Sequence, residues 1–197
     1  MRLEANRIGF RYGNDPWLLK DVHFAIEPGE VVGLTGASGR GKTTFCRILA
    51  GFEQPLEGEI TLGGKRIQNK GIHPVQLVLQ HPEKAVNPRW KMQKVLNESG
   101  QPDPELLTLL GIKQSWLSRW PNELSGGELQ RFCVARALSS NPRFLIADEM
   151  TTMLDAITQA QIWQAVLETA EKRNMGIIVV SHERKLVQRL CDRVVEL

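Results

Sequence analysis

The sequence predicts an α/β domain: a mostly parallel sheet flanked by helices, with an N-terminal antiparallel β subdomain and a small α-helical insertion. Three observations carry this. From residue 125 onward helical and strand patterns alternate, as they do in parallel sheets covered on both faces. A buried-strand pattern at 30–35 runs straight into a glycine-rich stretch and then a helix. Residues 82–123 interrupt the alternation with five prolines and the helical pair Leu106-Leu107, Leu109-Leu110.

Element by element, residues 7–12 and 22–26 alternate apolar and polar, as half-buried strands do. Pro28-Gly29 marks a turn. The strand at 30–35 feeds the stretch from Gly36 to Gly41, and a helix follows over 41–50. Further strands are expected at 56–62 and 76–79. Beyond the insertion the order is helix 128–140, strand 144–147, helix 158–173, strand 176–180, helix 183–190 and a final short strand. The expected division is one domain, with core 1–81 and 124–197 and a helical part at 82–123.

Composition agrees. With 197 residues, 42% hydrophobic and 24% charged, the chain is an ordinary globular one with one sizeable core, not a disordered tail, a collagen-like repeat or a disulfide scaffold. The net charge of +3 asks for no nucleic acid. Cys46, Cys133 and Cys191 stand far apart and make neither a disulfide framework nor a zinc site, so reduced thiols are expected. No apolar leader opens the chain, and its apolar runs fall well short of the roughly 20 residues a membrane span needs.

Three motifs carry chemistry. Gly36, Ser38, Gly39, Gly41, Lys42 and Thr43 lie in a segment that fits G-x-x-x-x-G-K-[ST] between a strand and a helix, the context of a phosphate-binding loop. Its backbone N–H groups and the helix N-terminus favour anions. Lys42 is placed to reach the β- and γ-phosphates, Thr43 to hold Mg²⁺ and Thr44 to help at the α-phosphate. The strand 144–147 ends in Asp148 and Glu149: Asp148 suits the outer shell of Mg²⁺, a hard cation, and Glu149 suits a base or positioner for water. Ser125 and Glu128 form a capping box. Capping does not explain Gly126 and Gly127, which weaken a helix start. Two glycines make sense where a bulky anion must approach a bare helix N-terminus.

In this order, the phosphate loop, the Leu124-Ser125-Gly126-Gly127-Glu128 segment and the 144–149 strand resemble an ATP-binding cassette (ABC) ATPase, and the likeness covers nearly the whole chain. The resemblance implies ATP and Mg²⁺ as cofactors. It implies that Ser125, Gly126 and Gly127 contact the γ-phosphate held by a second ABC ATPase subunit, in a homodimer or a heterodimer. Tyr12 matches the aromatic that stacks on adenine. Gln80 matches a glutamine that touches Mg²⁺ and the attacking water. His182 matches a switch histidine at the γ-phosphate, and Asp155 a carboxylate that crosses the dimer. Glu128 stands where Gln is commoner, while Met150 and Met153 replace the family's Pro and Ala.

The segments 80–89 and 119–127 are similar to the oligopeptide, dipeptide and nickel uptake group. That likeness implies a peripheral subunit on the cytoplasmic face of the membrane. Its partners would be integral membrane permease subunits on a separate chain, docked on 82–123, and an extracytoplasmic substrate-binding protein. A soluble assembly ATPase remains the alternative. A small-molecule kinase would use the phosphate loop but not the 124–128 segment.

Overall fold

The computed structural model describes residues 1–67 and 71–197. In chain order the elements are β1 (Leu3–Phe10), β2 (Leu19–Ile26), β3 (Val31–Thr35), α1 (Lys42–Leu49), β4 (Glu57–Leu62), β5 (Lys65–Arg66) and β6 (Val75–Val78), then α2 (Met92–Asn97), α3 (Pro104–Leu109), α4 (Gly126–Ser139), β7 (Phe144–Asp148), α5 (Ala156–Arg173), β8 (Gly176–Val180), α6 (Arg184–Leu190) and β9 (Arg193–Glu196).

The strands form two sheets. An antiparallel sheet runs β2-β1-β4-β5, and a parallel sheet runs β6-β7-β8-β3-β9. β1 starts four residues earlier than its alternation predicts and stops at Phe10, which leaves Tyr12 outside the strand. The reason is a slip in register between Ala5 and Ile8, where Arg7 has φ 55° and faces the region of Asp21, with φ 53°. Leu3 and Ala5 therefore share the buried face with Ile8 and Phe10, although their parity differs. A simple period-2 reading breaks at such a bulge.

Side chains alternate across the parallel sheet and build two cores rather than one. Leu145, Ala147, Ile177 and Val179 face one core with α4 and α5 residues such as Phe132, Val134, Ile162 and Val166. Ile146, Ile178, Val180, Val32 and Leu34 face the other, with Phe45 and Ile48 of α1 and Leu3, Ile8 and Ile26 of the antiparallel sheet. β7 and β8 are buried along their whole length, as central parallel strands should be. Gly176 opens β8 where a Cβ would stand 2.5 Å from Phe144 Cδ1 and 2.9 Å from the Glu27 carbonyl oxygen. A backbone oxygen cannot step aside. Gly176→Ala should therefore cost roughly 1–3 kcal/mol by overpacking and lower Tm by several degrees; a thermal melt equal to wild type would refute the contact.

The insertion is fastened to the core by charged side chains. Arg131 of α4 donates to the Leu110 carbonyl at 2.6 Å and to Gln161 of α5 at 2.7 Å. Arg136 meets Glu98 at 2.9 Å, and Lys172 meets Glu105 at 2.6 Å.

At the outer edge, Asp192 accepts from the Val31 amide at 2.8 Å and Arg193 bonds Glu30 at 2.6 Å. Burial works to raise the Glu30 carboxyl. The Arg193 bond, the Glu27 amide and the charges of Arg193 and Arg2 outweigh it and hold the carboxyl below its ordinary value. A depressed carboxyl contributes stability above its unfolded pKa and loses it as pH falls through the folded value. Glu30→Gln should thus lower stability at neutral pH, with the gap from wild type closing below pH ~4. Chemical denaturation across pH measures the gap.

Among the described residues, no helix is long and apolar enough to cross a membrane.

Candidate nucleotide site

The carboxyl ends of β3, β7 and β8 lie side by side, because β8 pairs with both β3 and β7. Open parallel sheets bind ligands at this edge. Here it holds a cleft of about 250 Å³ lined by Leu18, Ser38, Gly39, Gly41, Lys42, Thr43, Thr44, Asp148, Glu149, Val180 and His182. A wider groove of about 600 Å³ on the antiparallel sheet sets Arg7, Lys20 and Arg66 against Asp21, Glu57 and Glu59, and none of its described lining residues belongs to a helix.

The phosphate loop is shaped by its glycines. Gly39 and Gly41 have φ 79° and 90°, a region costly for other residues. A Cβ on Gly41 would also stand 2.9 Å from Leu19 and 3.0 Å from Leu18. Gly41 caps α1 without any side-chain acceptor, so the N–H groups of its first turn stay directed at the cleft. Lys42 is buried and its ammonium donates back across the loop to the carbonyls of Gly36 (2.8 Å) and Ala37 (3.0 Å). Tyr12 leaves its strand but stays near: its hydroxyl is 3.2 Å from Thr44 Oγ1, and its ring meets Phe10 edge-on at 4.9 Å.

Asp148 is buried beside the loop. Burial pushes its carboxyl above the ordinary value. The Thr43 hydroxyl bonded to it pulls down, Glu149 pushes up, and Arg47 and Lys42 pull down. Such a carboxylate, short of positive charge, is suited to a divalent cation. Among the described residues no cluster of three or more His, Cys, Asp or Glu forms a protein cage for one. The donors at hand, one carboxylate and one hydroxyl, fit an ion that takes its other oxygens from phosphate and water.

Glu149 has φ 51°, unusual for a residue with a side chain. Its amide bonds the Val180 carbonyl at 2.9 Å, which pins the turn to the end of β8. Its carboxylate lies 3.0 Å from His182 Nε2. The sequence does not reveal this left-handed turn, nor Leu18, an ordinary apolar residue just before β2 that lines the cleft.

Other expected site residues lie outside the cleft. Gln80 follows β6, whose Val78 pairs with Ala147 of β7, so the continued register sets it level with Glu149. Ser125, Gly126 and Gly127 start α4 two residues earlier than expected, because the reciprocal cap outweighs glycine's poor helix propensity. Ser125 Oγ accepts from the Glu128 amide at 3.3 Å, and Glu128 accepts from the Ser125 amide at 2.8 Å. A Cβ on Gly127 would touch Thr158 and Leu154; one on Gly126 would meet nothing within 4 Å. Asp155 caps α5, accepting from the amides of Ile157 (3.1 Å) and Thr158 (3.0 Å) and from the Thr158 hydroxyl (2.7 Å).

The turn that joins β7 to α5 is anchored from behind. Thr151 is buried, and its hydroxyl accepts from Trp163 Nε1 and Gln159 Nε2, both at 3.1 Å. Met150 is packed in the α4/α5 core, whereas Met153 is 67% exposed. The turn is thus held by a core side chain and a pair of hydrogen bonds. Nothing in the local sequence marks Trp163 for this task. The three thiols take no part: burial pushes Cys46 far up, Cys133 up to about 12 and Cys191 up to about 11, so all stay protonated at neutral pH.

A P-loop α/β fold with this cleft defines a nucleoside-triphosphate-binding domain. Residues 19–152 match the family described as ABC transporter. The nickel import ATP-binding protein NikE of Escherichia coli K12 is 34% identical over 196 residues, covering 90% of this chain and 73% of its own length. The oligopeptide transport ATP-binding protein AppF of Bacillus subtilis is 34% identical over 193 residues, covering 88% and 59%. The dimeric post-hydrolysis structure of the ATP-binding cassette MJ0796, bound to ADP and Pi, superposes with a TM-score of 0.83 at 25% identity, covering 99% of this chain and 94% of that one. The chain belongs to the ABC transporter family. It binds and hydrolyses ATP, as the ATPase subunit that powers a membrane transporter.

Proposed function

We propose that this chain drives an import system for nickel or short peptides, and that it works as one of two cassettes closing over ATP. The observation that carries the two-cassette reading is the division of the site. One chain gathers the phosphate loop, Asp148, Glu149 and His182 into one cleft, yet leaves Ser125, Gly126 and Gly127 outside it, with open space above Gly126. A capped helix start with no occupant of its own fits an anion brought by another subunit. The cargo reading is supported by the names of the relatives, NikE and AppF.

In this mechanism adenine stacks on Tyr12, and the phosphates lie on the loop amides and the α1 N-terminus. Lys42 exchanges its two loop carbonyls for the β- and γ-phosphates. Mg²⁺, held by Thr43, Gln80 and, through water, Asp148, would neutralise the charge that builds between the β- and γ-phosphates. Glu149 accepts a hydrogen bond from the attacking water and aims it in line, while His182 turns from Glu149 towards the γ-phosphate. A partner's signature segment covers the open side. Asp155 and the exposed Met153 then face the seam between the cassettes. The chain sits on the cytoplasmic face of the membrane by docking 82–123 on permease subunits, and an extracytoplasmic binding protein delivers the cargo.

Sedimentation with and without Mg-ATP tests the pairing. A dimer that forms only with nucleotide is expected. A monomer at saturating ATP would reject self-pairing and require an unlike partner cassette. Nickel or peptide uptake by a strain lacking the chain tests the cargo; uptake equal to the parent for both would reject it.

The anchor behind the turn gives a further expectation. Trp163→Phe keeps an aromatic ring, though a smaller one, but leaves Thr151 without its indole donor, a loss of about 1 kcal/mol for the hydrogen bond. Turnover should fall several-fold, with ATP affinity unchanged. Equal turnover would show that the Trp163–Thr151 hydrogen bond does not steady the catalytic turn.

A further inference from the structure

Gln130 is buried at 1% exposure on α4, one turn beyond Gly126, beside the buried Leu129, Phe132 and Val134. Its Nε2 donates to the carbonyl of Leu79 at 3.1 Å, the residue immediately before Gln80. Its Oε1 is buried with no donor among the described residues. One turn further on, the Cys133 thiol lies 3.8 Å from the carbonyl of Pro82. The two side chains, at i and i+3 on one face, grip the backbone on both sides of Gln80 and His81.

An amide in this position is costly. Burying a polar group without a partner costs about 1–3 kcal/mol, and a leucine would fill similar space without that cost. The Leu79 carbonyl fixes which end of the amide is the nitrogen, so the unsatisfied atom is the acceptor. The one hydrogen bond this buried amide makes is to the backbone beside Gln80, so that bond is what the polar side chain supplies here.

We infer that Gln130 is a positioning residue that couples the signature turn, Ser125 to Gly127, to the strand end bearing Gln80. The inference rests on the roles proposed above for those two segments. Arrival of a phosphate at one of them shifts the other through a single buried side chain. α4 is the rigid element between them: its start faces the seam, and its second turn holds the Gln80 backbone.

Two readouts test this on the full chain with Gln130→Leu, with Thr169→Val as a control that removes a buried hydrogen bond elsewhere, from Thr169 Oγ1 to the Ala165 carbonyl. Without nucleotide, amide exchange across 79–84 should rise at least about fivefold in Gln130→Leu and stay unchanged in Thr169→Val. In ATPase assays Gln130→Leu should lower kcat about tenfold with KM within about twofold, and Gln80→Ala combined with Gln130→Leu should be no slower than Gln80→Ala alone. Losses that multiply in the double variant would overturn the inference, and so would equal exchange in all proteins. If wild type itself shows no ATP turnover, the mechanism of the preceding section fails, while the exchange comparison still decides the tether.

Discussion

Glu149→Gln should lower ATP turnover by roughly 10²–10⁴-fold, the range expected on loss of a general base, while ATP still binds. The substitution is close to isosteric. The glutamine oxygen can still accept from His182 Nε2, which now lies 3.0 Å from the carboxylate. The backbone bond from residue 149 to the Val180 carbonyl does not involve the side chain. What disappears is the negative charge that orients and accepts from water. Phosphate release measures the loss and fluorescent-nucleotide titration the retained binding. With hydrolysis blocked, an ATP-held dimer should accumulate, visible as a doubled mass in sedimentation. Turnover within about threefold of wild type would remove Glu149 from the chemistry.

Gly126→Asp should abolish that dimer while leaving the single chain intact or slightly firmer. The reason is a conflict between two uses of one helix end. A carboxylate in the first turn of α4 interacts favourably with the helix dipole, by about 0.3–1 kcal/mol. A Cβ there meets no described atom within 4 Å beyond its chain neighbours and its own helix backbone. The same carboxylate would face an arriving γ-phosphate with like charge and occupy the space left for it. A rise or no change in Tm, unchanged ATP binding by the monomer, and loss of the ATP-dependent dimer together form the expected signature. An undiminished dimer would mean that the open space above Gly126 is not where the partner's phosphate comes.

The sequence displays best what is local. The phosphate loop is legible because glycine spacing, the lysine and the strand-to-helix context all lie within fifteen residues. The same holds for the acidic strand end at Asp148 and Glu149, and for the cap formed by Ser125 and Glu128. Less legible is anything set by register or by distant partners. The bulge at Arg7 shifts the parity of β1, so an alternation rule misses its first four residues. Glycines at the start of α4 argue against helix until the reciprocal cap is seen to hold them. The left-handed turn of Glu149 depends on β8, and the Thr151 anchor on a tryptophan twelve residues away. The link from Gln130 to Leu79 spans 51 residues. The last three, at Glu149, Thr151 and Gln130, leave no mark within a window of ten residues. Asp155 carries a further role that the likeness does not name: its carboxylate caps its own helix.

The strand that delivers the phosphate loop has both its neighbours more than 140 residues further along the sequence. β3 is complete by residue 35, but it pairs with β8 at 177–180 and with β9 at 193–196. During synthesis, domains form from the N-terminus outward at ~5–20 residues per second. The loop's supporting strand therefore waits for some ten seconds or more with both edges open, and ATP cannot act as an early template for it. The nascent chain carries an apolar, unpaired Val31–Thr35 segment until residues 177–196 have been made, so ribosome-bound intermediates of this cassette should be avid clients for chaperones. Nucleotide should begin to protect the chain only after β9 has left the exit tunnel.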